Sequence, residues 1–355
     1  MKTILRTFVG CTAILFGTAC MGAVKYVPEN MKVELSLKVP GNNAVNYKLH
    51  PDKLENSYFD YEWRSDNKLP ITVFHKVEER DSCMRLTVQL TAAQDVYFNY
   101  RQLLSTGYRH DNCQFYMPGF WYRRNLRSPK KAPSFHTSDS WLVREDRLSA
   151  PLTGIFSEKE KRFMTVNRLD DFSMDALATH KEGEIILSGK TSLGFTGFEN
   201  QQGIAMLSFG FPYREAPKSY IRKLTLAPEV EAFQLMKKGE SVLLTWEIME
   251  SGADDFSDFI QHTWEHCYDT YAPKPVENSY SIADMKQVLS CFFVNSLVDN
   301  QPLVYNSGIH LKVSDCERNG QAEVGFIGRV LLNAFNAWEY GWQSNREELK
   351  VNSTK

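Results

Sequence analysis

The sequence has 355 residues, of which 43% are hydrophobic and 24% are charged, with 41 basic and 43 acidic side chains. This is the composition of a globular protein long enough for two domains. Because neither charge is in excess and no block of like charges occurs, we expect neither a nucleic-acid partner nor a charged disordered tail.

The N-terminus predicts a secretory signal peptide over residues 1–23. Lys2 and Arg6 precede an apolar run that is too short for a transmembrane helix. Cys20 follows small residues as in a bacterial lipobox, and the alternative is ordinary cleavage near Ala23. We therefore expect a secreted protein, periplasmic or an outer-membrane lipoprotein of a Gram-negative bacterium, attached to a membrane only through a lipidated Cys20.

The cysteines and histidines predict no metal site. Of the seven cysteines, the five beyond the signal are scattered and form no C-x-x-C pair, and a Cys83–Cys113 disulfide is one pairing that an oxidising compartment would permit. His262 and His266 have the spacing of metal ligands on one helix face, but the glutamate of an HExxH motif is missing. We expect these two histidines to be structural or exposed.

From residue 31 to about residue 250 the dominant sequence period is two. In residues 31–39, apolar positions alternate with polar ones such as Lys32 and Glu34, which places one face of a strand on a core and the other in water. Further runs lie at residues 71–74, 84–90, 96–100, 162–166, 184–187, 203–209, 220–226 and 241–248. The region therefore predicts a large antiparallel β-sandwich.

In residues 254–355 the period becomes that of helices. A first apolar stripe ends at Tyr271, and Ser281 with Asp284 forms a capping box that predicts a second helix. A third helix is predicted from about Gln321. Because stripes this apolar need a partner surface, we expect a C-terminally truncated fragment of a longer helical domain, and the alternative is that the helices pack on the edge of the sandwich as a small cap.

Residues 114–147 form an aromatic loop in which rings lie among arginines and carboxylates. Prolines and Gly119 interrupt it, so most of it should be loop. Ring faces stack on the apolar faces of sugars, while guanidinium groups and carboxylates hydrogen-bond hydroxyls. The loop therefore predicts a site for a polyhydroxylated ligand, and the alternative is that its rings close the end of the sandwich.

The layout resembles that of secreted bacterial enzymes of the six-hairpin glycosidase superfamily. Residues 238–247 resemble the last strand of their N-terminal β-supersandwich, residues 256–271 the linking helix, and residues 325–334 an early helix of their (α/α)6 toroid. The resemblance implies a supersandwich domain over residues 25–250 and the start of a toroid over residues 254–355.

In that superfamily the toroid supplies a carboxylate pair and sandwich loops contact the substrate. Cleavage of a glycoside needs one carboxylic acid and one carboxylate, and our catalytic candidates are Asp139, Asp146 and Glu323. The predicted substrate contacts are Trp121, Tyr122, Arg123, His136, Trp141 and Arg144.

The predicted function is hydrolysis of glycosidic bonds in a polysaccharide or oligosaccharide, without a cofactor. The arginines around Trp121 point to an acidic glycan, because guanidinium groups pair with carboxylates. One alternative is a non-catalytic carbohydrate-binding or surface glycan-utilisation protein, which an open aromatic platform without a carboxylate pair would favour. The other alternative is a polysaccharide lyase.

Overall fold

A computed structural model describes residues 28–54, 60–80, 83–126, 131–170, 174–177, 181–222, 224–275, 277, 279–295, 309–311, 316–318 and 327–354. The predicted signal peptide, with Cys20, and the catalytic candidate Glu323 lie outside these residues. No helix in the described ranges is both long enough and apolar enough to cross a membrane. The chain divides into two compact units, with the boundary after Tyr271.

The described residues of the first unit form 19 strands. They are β1 (Met31–Lys38), β2 (Val45–Lys53), β3 (Tyr61–Arg64), β4 (Ile71–Arg80), β5 (Cys83–Ala92), β6 (Val96–Arg109), β7 (Cys113–Met117), β8 (Trp121–Arg123), β9 (Trp141–Arg144), β10 (Leu152–Ser157), β11 (Arg162–Arg168), β12 (Gly183–Ile186), β13 (Phe195–Gln201), β14 (Ile204–Phe211), β15 (Arg214–Glu215), β16 (Ser219–Arg222), β17 (Thr225–Ala227), β18 (Val230–Met236) and β19 (Ser241–Gly252).

Hydrogen bonds join 17 of these strands into a continuous network. One antiparallel ladder runs β2–β1–β6–β14–β13–β9. A second runs β2–β3–β4–β5–β19–β11–β10–β7–β8. Strand β2 belongs to both, and the pair β12 and β18 is parallel.

The two ladders meet face to face through buried aromatic side chains. The ring of Trp246 in β19 lies 6.3 Å from that of Tyr100 in β6 and 5.1 Å from that of Phe209 in β14. All three side chains are fully buried, so each of these strands turns one face to a shared core. The antiparallel sandwich predicted from the period of two is therefore confirmed.

Helix α1 (Phe256–Tyr271) packs on the same sandwich. It begins where Asp255 Oδ1 accepts the backbone N–H groups of Ser257 and Asp258, at 2.7 and 3.0 Å. A side chain at Gly154 of β10 would place its Cβ 2.5 Å from the ring of Phe259, so this glycine lets the helix approach the sheet. Because α1 packs closely on the sheet, the first compact unit includes this helix and ends after Tyr271. The period of the sequence, in contrast, changes before the helix.

The second unit contains α2 (Ile282–Asn295), α3 (Ile327–Gln343), α4 (Glu347–Ser353) and a short ribbon of β20 (Ile309–Leu311) and β21 (Cys316–Arg318). The capping box that opens α2 is confirmed, since Ser281 Oγ accepts the N–H of Asp284 at 3.1 Å and Asp284 accepts the N–H of Ser281 at 3.0 Å. Ala337 and Leu349 form a small buried core. A toroid stays a prediction.

Four of the cysteines in the described ranges are free thiols, at positions 83, 113, 267 and 291. Cys113 is buried in β7, and its thiol donates to the carbonyl of Arg109 at 3.2 Å. The Cys83–Cys113 disulfide that an oxidising compartment would permit is therefore absent from the structure. Spacing in the sequence could not show this, because the two residues lie on strands that are not neighbours in the second ladder.

Candidate functional site

The structure corrects the prediction for Trp121 and Trp141. Trp121 is 0% and Trp141 is 1% exposed, and their rings lie 5.8 Å apart in the core of the sandwich. Each indole N–H is satisfied within the chain, by the carbonyls of Arg123 at 2.8 Å and Ser138 at 3.0 Å. Rings at this depth cannot stack on a sugar, so these residues stabilise the aromatic loop rather than contact a ligand.

The catalytic candidates Asp139 and Asp146 lie at opposite ends of β9. A strand rises about 3.3 Å per residue, so the strand alone separates its flanking segments by about 10 Å, whereas a glycosidase pair needs about 5–9.5 Å. Asp139 accepts a hydrogen bond from Asn200 at 2.7 Å. The structure therefore does not bring the two carboxylates together. The predicted substrate contact His136 is exposed, and its Nε2 atom lies 2.9 Å from the carbonyl oxygen of Leu126.

Arg144, one of the predicted substrate contacts, lines a cavity. Its guanidinium group donates to Asp146 at 3.0 and 2.8 Å and to Asp175 at 3.1 Å, and lies 4.3 Å from the centre of the Tyr213 ring. Burial opposes its charge, but these carboxylates outweigh burial and raise the pKa of Arg144. Its charge is therefore already neutralised within the chain.

Arg147 lines the same cavity, of about 320 Å³. Residues Glu145–Arg147 form a 3₁₀ turn, in which positions three apart lie on one face. Arg147 therefore lies on the same side as Arg144, whereas a continued strand would place the two on opposite sides. Arg147 pairs with Glu215, with Nη2 to Oε2 at 3.2 Å. An acidic ligand here would have to displace carboxylates from both arginines.

Tyr122 and Arg123 lie instead on an exposed surface beside α1. Tyr122 is 50% exposed, and its ring contacts that of Tyr116 at 5.2 Å, whose hydroxyl accepts the indole N–H of Trp264 at 2.6 Å. Arg123 lies over the Phe256 ring at 5.0 Å and forms no ion pair with any described residue. We call Tyr122, Arg123 and Trp264 the aromatic surface.

Sequence reasoning missed Trp264 as a surface residue because it fell in the apolar stripe of α1. The buried residues of the helix are Phe256, Phe259, Thr263 and Cys267. Trp264, at 39% exposure, lies on the edge of that row. The sequence does indicate an exposed apolar residue here, because the apolar stripe of α1 is wider than one buried face requires.

Sequence reasoning also missed a larger cavity, of about 450 Å³, on strands β1, β2 and β6. In register, Glu34 of β1 pairs with Lys48 of β2 on one side and with Arg101 of β6 on the other. We call it the charged cavity, and the residues we assign to it are Lys32, Glu34, Lys48, His50, Trp63 and Arg101.

Arg101 organises the charged cavity. Its guanidinium group donates to Glu34 at 2.8 Å and also to Glu199, and all three side chains are at most 15% exposed. Burial opposes the charge of Arg101, but Glu199 and Glu34 outweigh it and raise its pKa. The side chains of Arg101, Glu34 and Glu199 therefore form a fixed cluster of charges at the charged cavity.

The walls of the charged cavity keep unused hydrogen-bonding groups. Trp63 is 3% exposed, and its indole N–H has no acceptor among the described residues. Lys32 and Lys48 are exposed and form no ion pair within the described ranges. Because the Nε1 atom of Trp63 is buried, the hydrogen-bonding groups that the cavity offers to a ligand are those of Lys32 and Lys48.

No protein-family model matches the sequence, and no curated protein matches it significantly. Similar solved structures include a polysaccharide lyase (14% identity, TM-score 0.31, 66% of this chain and 27% of that one). They also include an α-galactosidase from Geobacillus stearothermophilus (11%, TM-score 0.34, 66% and 31%) and a galactose mutarotase-like protein from Clostridium acetobutylicum (8%, TM-score 0.28, 61% and 65%). This chain thus spans less than a third of the lyase and of the galactosidase. These similarities are too low to assign an activity.

Proposed function

We propose that this chain binds a glycan in the charged cavity and is the sandwich part of an exported protein of polysaccharide breakdown. The observation that carries the proposal is the row of Lys48, Glu34 and Arg101 across three strands, in a cavity of about 450 Å³. A few fixed donors and acceptors in a concave site are what orients a polyhydroxylated ligand.

The charges of the cavity favour a neutral sugar over an acidic one. Three cations, on Lys32, Lys48 and Arg101, are matched by the carboxylates of Glu29 and Glu34 in its wall and by Glu199, which pairs with Arg101. A balanced set offers both donors and acceptors to hydroxyl groups. The arginines of the aromatic loop do not alter this, because Arg144 and Arg147 are paired within the chain.

Binding can be measured by calorimetry with xylan and galactomannan as neutral probes and alginate and polygalacturonate as acidic ones. Lys48→Ala/His50→Ala should weaken binding of the neutral probe about 10-fold or more, because each lost hydrogen bond contributes about 0.5–1.5 kcal/mol. Both residues are exposed, so folding should be unaffected. Lys76→Ala, another exposed lysine on a strand, is the matched control.

The aromatic surface provides the second arm of this experiment. If Tyr122→Ala/Trp264→Ala abolishes binding while Lys48→Ala/His50→Ala does not, glycan binding belongs to the aromatic surface and the proposed site is wrong. Absence of binding to all four probes by the unaltered chain would contradict the function itself. A preference for alginate or polygalacturonate would contradict the neutral sugar.

Glycoside hydrolysis is the second proposal, favoured by the order of a β-sandwich followed by helices. Among the described candidates, Asp139 and Asp146 lie too far apart along β9 to act as a pair, so catalysis would need other carboxylates, with Glu323 the remaining candidate. Incubation with the same glycans separates the reactions. New reducing ends alone indicate a hydrolase, new reducing ends with ultraviolet absorbance of a new double bond indicate a lyase, and neither indicates a binding protein.

A further inference from the structure

Three different metal-binding side chains meet where α1 packs on β5 and β19. Cys83 opens β5, Glu247 lies in β19 and His266 in α1, and their ligand atoms all lie within 4.8 Å of one another. Cys83 pairs in register with Met249, so Glu247, two residues earlier, shares its face of the sheet. No other group of three such donors occurs in the part of the chain that the structure describes.

The three donors are already held by contacts to one another. The Nε2 atom of His266 lies 2.6 Å from Oε1 of Glu247, and Thr270, one turn further along α1, donates to the same oxygen at 3.2 Å. Glu247 is 5% exposed, whereas Cys83 and His266 are half-buried. The donors are therefore fixed in position, and water can reach them from one side.

We propose that Cys83, Glu247 and His266 bind a zinc ion, with water as the fourth ligand, and that the ion fastens α1 to the sandwich. Thiolate, imidazole and carboxylate are the ligands that zinc prefers. A thiolate and a carboxylate together cancel the two charges of the ion, which makes a half-buried site favourable. Thr270, which donates a hydrogen bond to Glu247, would orient that ligand without itself binding the ion.

Binding releases the proton of the Cys83 thiol and displaces the proton that His266 and Glu247 share from the Nε2 atom. Burial, helped by Glu247, raises the pKa of Cys83 to about 12, against the charges of Arg80 and Arg85. The hydrogen bond to Glu247, with the nearby charge of Asp269, raises the pKa of His266 against burial. Zinc therefore competes with protons at both ligands.

Cobalt(II) alone is a suitable probe, because a cobalt–thiolate bond gives charge-transfer absorption in the near ultraviolet. The full chain should show this band, and zinc should remove it by displacing the cobalt. Cys83→Ser should lose the band, and Cys83→Ser and His266→Gln should each lower the zinc affinity by more than about 100-fold, beyond the loss typical of an outer-shell partner. Cys113→Ser and Cys291→Ser are matched controls with other thiols and should keep the band.

Zinc should also raise the melting temperature of the unaltered chain but not that of Cys83→Ser, because only a ligand of the folded state stabilises it. This readout remains decisive if Glu247→Gln or His266→Gln folds poorly. Charge-transfer absorption that survives in Cys83→Ser, or that disappears in Cys113→Ser or Cys291→Ser, would overturn the assignment. A chain that binds neither cobalt nor zinc would overturn it as well.

Discussion

Replacement of Arg168 by methionine should lower the free energy of unfolding by about 3–5 kcal/mol, the usual cost of leaving one partner of a buried ion pair alone. Arg168 donates to Glu145 at 2.7 Å, and the two side chains are 3% and 1% exposed. Glu145 also accepts the backbone N–H of Gly194 at 2.7 Å. Urea unfolding of the full chain, followed by tryptophan fluorescence, measures the loss.

The double variant Glu145→Gln/Arg168→Met is the control, because a glutamine keeps the acceptor for Gly194 without a charge. It should recover most of the loss. Burial raises the pKa of Glu145 above its ordinary 4.5, so in Arg168→Met the deficit should also shrink as the pH falls from 7 toward 4.5 and this carboxyl group becomes neutral. A double variant no more stable than Arg168→Met would show that the pair is not what the arginine stabilises.

This pair also shows why Glu145 is not a catalytic acid, although a raised pKa is typical of one. Its carboxylate is enclosed by Arg168 and Gly194, and it lines none of the cavities described above. From the sequence, Glu145 was one of several acids on the aromatic loop. Its partner is 23 residues away in the chain, so only the folded structure reveals that it is structural.

The elements of the fold could be predicted because their signals are local. A period of two places alternate residues on one face of a strand, and the capping box between Ser281 and Asp284 lies within four residues. Period two also places Lys32 and Glu34 on the outer face of β1, where the structure has them. Such patterns indicate which face a residue occupies, but not what lies opposite it.

The candidate site could not be predicted, because it depends on strand register. The charged cavity exists because Arg101 and Lys48 flank Glu34 on neighbouring strands, and their separations in sequence carry no sign of this. The prediction that Trp121 and Trp141 contact a substrate was wrong for a related reason. A tryptophan in a core and a tryptophan on a binding surface cannot be told apart from the sequence alone. The neighbours that bury Trp121 include Phe198, from a strand far along the chain.

Acidification should destabilise the sandwich through His75. This histidine is completely buried in β4, its ring lies 5.1 Å from that of Trp63, and its Nε2 atom lies 2.9 Å from the hydroxyl of Tyr100. Burial lowers its pKa from 6.5 to about 3. Below pH 6.5 the imidazole of His75 therefore binds a proton in the unfolded chain but not in the folded chain. The free energy of unfolding falls as the pH drops from 6.5 toward 3.

At about 1.4 kcal/mol for each pH unit, the loss across this window approaches about 5 kcal/mol. His75→Gln keeps a partner for Tyr100 but cannot titrate, so its stability should fall less steeply over the same range, whatever its value at neutral pH. His262→Gln, a variant of an exposed histidine paired with Asp258, should follow the unaltered chain. Equal slopes for the unaltered chain and His75→Gln, measured by urea unfolding at several pH values, would mean that a neutral His75 does not control the acid sensitivity. If the stability of His262→Gln also fell less steeply with acidification than that of the unaltered chain, the effect would lie outside the core.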